Sequence, residues 1–279
     1  MKPRSKLARE WDRFLGRRMP ATARRRLPDF LTTCRDLGIS TLGARYLDRY
    51  PVQLDIDGGS ITHDVLATGG YQTDTFRAAS ETWPVSDLTL LNVGANVGTT
   101  VLNAHHFGMR KFVALEPVGR NFRLLSDNLR AVAGDAEVAL HHAAAAATAG
   151  TLEINLHPAS GGRHSFRSQF SGKTETVNVI ALDSLTIDGD ILLWIDTEGY
   201  ETEVIKGATR LLRDQVRFAC MEVSPGLMPP GALDAMIDTL ETAGFDVDRG
   251  LVQPATSLAA LRTLGPNDQM DVLLSRKKT

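Results

Sequence analysis

The stretch that decides the fold is Asn92-Val93-Gly94-Ala95-Asn96-Val97-Gly98. It follows the apolar run 88–91 and precedes a helix-like segment, 99–107. A strand that turns sharply through glycines into a helix lets a ligand approach the backbone at the carboxyl end of a parallel sheet. The sequence therefore predicts a ligand-binding turn at the end of a buried strand.

The residue that follows the next apolar strand indicates which class of ligand the turn binds. The glycine spacing is G-x-N-x-G, which differs from the G-x-G-x-x-G of dinucleotide-binding proteins. Glu116 ends the apolar run 111–115, and an acid at this position can accept hydrogen bonds from both ribose hydroxyls. A glycine turn and a ribose acid without the pyrophosphate fingerprint favour S-adenosylmethionine over NAD as the cofactor.

Composition indicates a globular protein with an unevenly charged chain. The 279 residues are 43% hydrophobic and 23% charged, which is ordinary for a soluble domain. Cys34 and Cys220 lack the spacing of metal ligands or of a disulfide framework, so we interpret both as reduced structural thiols. The sequence contains no apolar run of the roughly 20 residues that a membrane span needs, and its basic start does not resemble a secretory signal. A cytoplasmic location is predicted.

Residues 1–50 contain 13 Lys and Arg against 5 Asp and Glu, whereas residues 51–279 contain 18 against 28. This division predicts a basic helical N-terminal extension, 1–50, and an acidic catalytic domain, 51–279. One interpretation is an arm that contacts an anionic membrane surface, a carrier protein or nucleic acid. The alternative, which we favour, is that it covers a sheet edge or forms a homodimer contact with a solvated basic face. Nucleic-acid binding is disfavoured because aromatic and basic residues do not alternate there.

The extension reads as three amphipathic helices. Their apolar faces are Leu7, Trp11, Phe14 and Leu15; then Leu27, Phe30, Leu31, Cys34 and Leu37, with Pro28 at the start; and finally Leu42, Tyr46, Leu47 and Tyr50 behind a Ser40 cap. A hairpin of strands 52–56 and 61–66 and a helix at 73–82 are predicted next.

Strands and helices alternate from residue 88 onward. The predicted strands are 88–93, 111–116, 137–142, 151–156, 175–180, 190–195 and 216–222, and the helices are 97–107, 119–131, 199–212 and 231–243. The last of these helices is followed by a terminal pair of strands, 245–249 and 270–275. This alternation predicts an open, largely parallel sheet with helices on both faces.

Carboxylates follow several of these strands, where ligands of such sheets bind. Asp196 is the first candidate for a general base, although it could instead cap the following helix. Glu198 and Glu222 could orient an acceptor or, with Asp196, hold a divalent cation. Because no spacing demands a metal, the predicted site is metal-free.

Five sequence motifs occur in a defined order along the chain: L-N-V-G-A-N-V-G (91–98), A-L-E-P-V-G-R-N-F-R-L-L (114–125), L-D-S-L (182–185), I-D-T-E-G-Y-E-T-E-V-I-K-G-A (195–208) and M-E-V-S (221–224). In these motifs the chain resembles the FkbM-type S-adenosylmethionine-dependent methyltransferases. This resemblance implies a Rossmann-like class I methyltransferase sandwich, with a mostly parallel seven-stranded sheet and an antiparallel last strand. It also implies methyl transfer to a hydroxyl, often on sugars or polyketide-type natural products.

Two positions depart from the family pattern. Asn92 stands where members commonly carry Asp, so a charge near the cofactor's ammonium group is missing, although the amide oxygen still accepts a hydrogen bond. Trp194 stands where Lys is frequent, and we interpret it as a core residue rather than an acceptor wall. We therefore expect Asn92 to affect the affinity for the cofactor and not its identity.

The predicted site combines these residues. The cofactor-binding residues are Asn92, Gly94, Ala95, Asn96, Gly98, Glu116, Pro117 and Asn121, and the catalytic candidates are Asp196, Glu198, Glu222 and His164. His164 lies in the loop 158–173, which could close over an acceptor and place His164 as a base, although solvated loop histidines are commoner. Asn121 could instead cap or pack its helix.

The predicted function is O-methylation of a small molecule or sugar. The chain lacks a D/N-P-P-Y segment, and Cys220 lacks the Pro-Cys context of cytosine-C5 enzymes, so DNA bases are disfavoured. Two alternatives remain. One is an RNA or protein methyltransferase guided by the basic arm, and the other is a non-catalytic module that retains the cofactor pocket.

Overall fold

The protein is described by a computed structural model that covers residues 24–158, 160–168, 172–251 and 255–277. The predicted first helix, with Leu7, Trp11, Phe14 and Leu15, lies outside these residues. The second is confirmed as helix α1 (Leu27–Asp36), which buries Leu27, Leu31 and Cys34. Leu37 lies beyond the end of this helix and is 72% exposed, so it does not extend the buried stripe.

The remaining elements follow in chain order. The strands are β1 (Thr41–Tyr46), β2 (Tyr50–Asp55), β3 (Thr89–Val93), β4 (Lys111–Leu115), β5 (Glu137–His141), β6 (Ala144–Ala145), β7 (Gly150–Asn155), β8 (Thr174–Ile180), β9 (Ile191–Ile195), β10 (Val216–Val223), β11 (Phe245–Gly250) and β12 (Met270–Arg276). The helices after α1 are α2 (Ser60–Thr68), α3 (Thr73–Thr82), α4 (Thr99–His106), α5 (Gly119–Leu129), α6 (Glu201–Lys206), α7 (Thr209–Asp214), α8 (Ala232–Thr242) and α9 (Leu258–Leu261).

Seven strands form the central sheet, in the order β11-β12-β10-β9-β3-β4-β5. Each pair from β10 to β5 is parallel, whereas β12 runs antiparallel to both of its neighbours. This confirms the predicted mostly parallel sheet with an antiparallel last strand. The carboxyl ends of β3, β4, β9 and β10 therefore meet at one edge, where this class of sheet binds ligands.

The central strands are buried on both faces of the sheet. Because successive side chains on a strand point to opposite sides, neighbouring residues belong to two different core clusters. Leu90 and Leu192 belong to a core cluster shared with helices α1 to α5. Leu91 and Leu193 belong to a second cluster shared with helices α6 to α9. Trp194 is only 4% exposed and stacks on Phe76 of α3 at 5.2 Å between ring centroids, which agrees with its interpretation as a core residue.

The predicted third helix, starting at Ser40, is wrong. Residues in its span form β1 and the start of β2, which pair in antiparallel register. Leu47 and Asp48 between them both have positive φ, and this left-handed pair reverses the chain. Tyr46 and Tyr50 are buried in the core, and their hydroxyls bond to Asn103 and His105 of α4 at 2.8 and 2.7 Å. The tertiary contacts of these two tyrosines therefore decide the local structure, and the helical spacing of the apolar residues does not.

The predicted hairpin of 52–56 with 61–66 is also wrong. Its first strand is β2, but residues 61–66 lie in helix α2, where Ile61, Val65 and Leu66 are buried on one face. Gly59 precedes α2 with φ 64°, and Gly69 ends it in the left-handed region. The spacing of these buried residues is helical, with Ile61 and Val65 one turn apart.

The predicted helix 199–212 is divided into α6 and α7. A Cβ on Gly207 would lie 2.1 Å from the carbonyl oxygen of Ala146, so the chain passes close to another segment at the break. The Asp183 carboxylate accepts the N–H groups of Arg210 and Leu211 at 2.8 and 2.9 Å, which satisfies the first turn of α7. This capping gives the L-D-S-L motif a structural role.

A smaller sheet of order β6-β8-β7 contains the predicted strands 151–156 and 175–180. Residues 156–173 connect β7 to β8, and the described part of this connection brings Gly161 and His164 to the carboxyl edge of the central sheet. Among the described residues, no helix is long and apolar enough to cross a membrane.

Candidate functional site

A cavity of about 820 Å³ opens at the carboxyl edge of the central sheet. Ten predicted site residues line it: Gly94, Ala95, Asn96, Glu116, Pro117, Asn121, His164, Asp196, Glu198 and Glu222. Asn92 and Gly98 do not line it. The structure therefore brings the predicted cofactor side and the predicted catalytic side into one space.

The glycine turn after β3 is fixed by close backbone contacts. The N–H groups of Gly94 and Ala95 both donate to the carbonyl oxygen of Leu115, at 3.1 and 2.9 Å. Gly94 has φ 83°, and a Cβ there would lie 1.9 Å from the carbonyl oxygen of Asp196. Gly98 caps α4 with φ 94°, and a Cβ there would lie 3.0 Å from Leu125. Gly94 thus lets two strand ends approach each other, and Gly98 lets α4 pack against α5.

We expect Gly94→Ala to destabilise the fold. The left-handed backbone alone costs a residue with a Cβ about 1–3 kcal/mol, and the contact with Asp196 adds to that cost. Denaturant unfolding of this variant should show a lower free energy of unfolding. Gly134→Ala is the matched control, since no atom lies within 4 Å of the position that its added methyl group would take. Equal stability of the two variants would contradict the role given to Gly94.

Glu116 is a buried acid directly after β4. Its Oε2 accepts the N–H of Asn96 at 2.9 Å, and its Oε1 accepts the N–H of Val118 at 3.0 Å. Burial raises the pKa of Glu116 to about 7, although these hydrogen bonds oppose the shift. A carboxylate oxygen has acceptor capacity for more than one donor, so hydroxyl groups in the cavity can still bond to it.

Asn96 and Asn121 contact the loop above the cavity. Their side-chain amides both donate to the carbonyl oxygen of Gly161, at 2.9 and 2.8 Å. The N–H of Gly161 donates to the carbonyl oxygen of Asp57 at 2.8 Å. Both asparagines line the cavity, and these bonds give them a second role in fixing the loop.

The opposite side of the cavity is acidic. Asp196 follows β9, Glu198 lies two residues later, and Glu222 lies near the end of β10. Burial and the charges of Glu222 and Glu198 raise the pKa of Asp196 well above its usual range. Burial and Glu222 raise the pKa of Glu198 to about 7, while Arg163 opposes the shift. Like charges in a desolvated site favour retention of a proton, so Asp196 and Glu198 are stronger bases than exposed carboxylates.

His164 has one ring nitrogen already engaged. Its Nδ1 accepts the N–H of His157 at 2.9 Å, and burial lowers the pKa of His164 to about 4. The neutral ring therefore carries its proton on Nε2. This geometry favours His164 as a hydrogen-bond donor to the cavity.

Asn92 is fully buried near the carboxyl end of β3, a central strand of the sheet. Neither its side-chain oxygen nor its nitrogen has a hydrogen-bond partner within the described part of the chain. An uncharged amide in this position avoids the larger cost of burying an unpaired carboxylate. Asn92 is therefore less costly at this buried position than an unpaired, charged aspartate would be.

Several lining residues were not found by sequence reasoning. Tyr71 is the clearest: burial raises its pKa to about 12, and the charges of Asp196 and Glu222 act in the same direction. Its carbonyl oxygen accepts the Tyr46 hydroxyl at 2.8 Å. Tyr71 lies in a loop between two helices rather than at a strand end, so no spacing rule pointed to it. Further lining residues outside the prediction are Ser60, Phe166, Thr197, Tyr200 and Asn267.

The residues of the cavity fit a nucleoside cofactor of the predicted kind. Glu116 offers a carboxylate for ribose hydroxyls, and the turn at Ala95 gives access to backbone. The small or apolar residues Val118, Ala144 and Ile154 line the cavity and suit a planar base. Among the described residues, no group of three or more His, Cys, Asp or Glu is arranged to hold a metal ion.

The chain matches the family of the methyltransferase FkbM domain over residues 92–247, more than half of its length. No curated protein matches it in sequence. The matched range includes the glycine turn, Glu116, the carboxylates after β9, and Glu222 near the end of β10.

Solved structures of low identity are similar to this chain. The methyltransferase FkbM from Methylobacillus flagellatus is 12% identical with a TM-score of 0.44, covering 78% of this chain, which spans 55% of that protein. The magnesium protoporphyrin IX methyltransferase from Synechocystis, with bound cofactor, is 10% identical, with a TM-score of 0.44 and coverages of 78% and 85%. The ribosomal protein L11 methylase from Lactobacillus delbrueckii is 16% identical, with a TM-score of 0.41 and coverages of 75% and 81%.

These scores are too low to assign a function, so the assignment rests on the sequence match. The chain belongs to the FkbM methyltransferase family, and its cofactor is S-adenosylmethionine.

Proposed function

We propose that the protein transfers a methyl group from S-adenosylmethionine to a hydroxyl oxygen of a small molecule or sugar. The observation that carries this proposal is the shared cavity. Glu116 and the glycine turn line one side, and Asp196, Glu198 and Glu222 line the other. A hydroxyl acceptor needs a base and hydrogen-bond acceptors, and this acidic side supplies both.

The cofactor side would hold the nucleoside. Glu116 accepts the ribose hydroxyls, while Ala95, Asn96 and Pro117 contact the cofactor through the turn and the β4 end. Gly94 and Asn92 shape this side from beneath. The bound cofactor supplies a methyl group made electrophilic by its sulfonium sulfur.

The acidic side would act on the acceptor. Asp196 would accept the proton of the acceptor hydroxyl while that oxygen bonds to the methyl carbon; the bond from this carbon to the sulfonium sulfur would break and leave a neutral thioether. Glu198 and Glu222 accept further acceptor hydroxyls, and His164 donates from the loop. The covering loop, held at Gly161, excludes water from the reacting groups. The raised pKa of Asp196 makes it a stronger base once it is ionised.

We also propose that the chain is divided at residue 50, with an N-terminal extension at 1–50 and the catalytic domain at 51–279. Because β1 pairs with β2 across this boundary, the described end of the extension is attached to the domain. The proposal assigns the extension no catalytic role.

Cofactor affinity should depend on pH. Ribose hydroxyls donate to the charged form of Glu116, whose pKa is about 7 before binding. Affinity should therefore increase as pH rises toward 7, by up to about tenfold per unit below it, and level off above. Calorimetry of cofactor binding from pH 5.5 to 8.5, a range of about 3 units around this pKa, checks the expectation. Glu116→Gln should remove this part of the dependence; an unchanged profile would contradict it.

The proposed reaction is tested with a cofactor labelled in its methyl group. The protein is incubated with labelled cofactor and metabolite extracts, and the labelled product is identified by mass spectrometry and NMR. We expect the label on an oxygen of a small molecule or sugar, and none with heat-denatured protein. Label on nitrogen, on carbon, on RNA or on protein would overturn the proposed acceptor class. If no product carries the label, the proposed methyl transfer itself is contradicted.

A further inference from the structure

Glu201, the first residue of α6, bonds to the segment that carries the acidic side of the cavity. A single oxygen, Oε1, accepts the N–H of Thr197 at 3.1 Å, the hydroxyl of Thr197 at 2.9 Å and the N–H of Gly199 at 3.2 Å. Glu201 is 1% exposed and does not line the cavity. It therefore lies behind the segment rather than against a ligand.

The segment Asp196–Gly199 has an unusual backbone that needs support. Glu198 has φ 52° and Gly199 has φ 92°, so two successive residues are left-handed. Such a conformation in a residue with a side chain persists only when its surroundings hold it. The Ser165 hydroxyl donates to the Glu198 carbonyl oxygen at 3.1 Å, and Leu227 lies against Gly199. Glu201 adds three hydrogen bonds to these contacts.

The backbone of this segment also fixes where its carboxylates lie. Asp196 and Glu198 flank Thr197, the residue that Glu201 bonds twice. The carbonyl oxygen of Asp196 lies against Gly94 of the cofactor turn. A shift of this segment would therefore displace both carboxylates relative to the cofactor side.

We propose that Glu201 is a positioning residue, which holds the Asp196–Gly199 turn so that the Asp196 and Glu198 carboxylates face the acceptor. This inference rests on the proposed function for its effect on turnover. Its structural part, the placement of the two carboxylates, stands without it. The second glutamate of the I-D-T-E-G-Y-E block thereby gains a role distinct from the first.

The two oxygens of Glu201 permit a conservative test. All three donors meet Oε1, while Oε2 is buried and has no hydrogen-bond partner in the described part of the chain. Glu201→Gln can keep an oxygen at the Oε1 position. Glu201→Asp keeps the charge but is one methylene shorter, and Glu201→Ala removes the acceptor. Glu203→Ala is the matched control on the same helix, where Glu203 pairs with Lys206 at 2.8 Å.

The experiment follows the carboxyl titrations of Asp196 and Glu198 by carbon-13 NMR, together with cofactor affinity and transfer of labelled methyl to the extract. In Glu201→Ala the titration of Glu198 should move down from about 7, and further than in Glu201→Gln, because the side chain leaves its buried position in addition to losing the charge of Glu201. Transfer should fall by about 100-fold, as expected for a misplacement of about 1 Å, with cofactor affinity within about threefold. Glu201→Gln should keep transfer and cofactor affinity, and should lower the Glu198 titration only by the lost charge of Glu201. Glu203→Ala should behave like the unmodified protein.

Several outcomes would overturn the assignment. Unchanged titrations and transfer in a folded Glu201→Ala protein would remove the positioning role. Equal losses in Glu201→Gln and Glu201→Ala would show that the charge matters rather than the acceptor geometry. If Glu201→Ala does not fold, Glu201→Asp decides, since it should shift the titration and lower transfer. If the unmodified protein transfers no methyl, the proposed function fails, and the titrations alone decide the placement.

Discussion

Asp196→Asn should lower turnover by at least about 100-fold, the range expected when a positioned general base is lost. The amide has nearly the same shape as the carboxylate but cannot take the acceptor's proton. Because Asp196 lies on the acidic side of the cavity, affinity for S-adenosylmethionine should change less than about threefold. Transfer of labelled methyl and calorimetric cofactor binding measure the two effects separately.

The control for this variant is Asp74→Asn, because the side chain of Asp74 is fully exposed on α3. It should retain full turnover and affinity. Equal turnover in Asp196→Asn and the unmodified protein would remove Asp196 as the base. In that case Glu198 and Glu222 would be the next carboxylates to test.

Glu116→Ala should weaken cofactor binding by about 10- to 100-fold. Hydrogen bonds to a charged group contribute about 1.5–3 kcal/mol each, and the ribose would lose this partner. The substitution also leaves the N–H groups of Asn96 and Val118 without their acceptor. Thermal unfolding must therefore accompany the calorimetry, to separate lost affinity from lost structure.

A folded Glu116→Ala protein with unchanged affinity would contradict the ribose assignment. Glu116→Gln serves as the second variant, since it lacks the charge but keeps one oxygen, which can accept one of the two N–H groups that now meet Oε1 and Oε2. It should bind the cofactor more weakly than the unmodified protein above pH 7 and more tightly than Glu116→Ala.

The centre of the sheet was predictable because β3, β4 and β9 are mainly apolar runs that are followed directly by glycine or carboxylate. Ile191–Ile195 is buried at every position, and this is how parallel strands covered on both faces read in sequence. The errors fall where tertiary contacts decide. Tyr46 and Tyr50 are drawn into the core by partners on α4, more than 50 residues away in the chain. Local periodicity contains no information about those partners.

The site divides in the same way. Residues at strand ends, such as Glu116 and Asp196, were predictable because the topology alone brings strand ends together. Tyr71 and Gly161 were not, since loops deliver them to the cavity. Glu201 belonged to a quoted motif, but its hydrogen bonds to Thr197 and Gly199 were visible only in three dimensions.

The central claim is that one cavity holds the cofactor between Glu116 and the carboxylates of the acidic side. A crystal structure of the protein with S-adenosylhomocysteine tests it most directly. The account predicts both ribose hydroxyls within hydrogen-bond distance of the Glu116 carboxylate, and the sulfur facing Asp196, Glu198 and Glu222. A ligand bound outside this cavity, or a sulfur directed away from these three carboxylates, would contradict it.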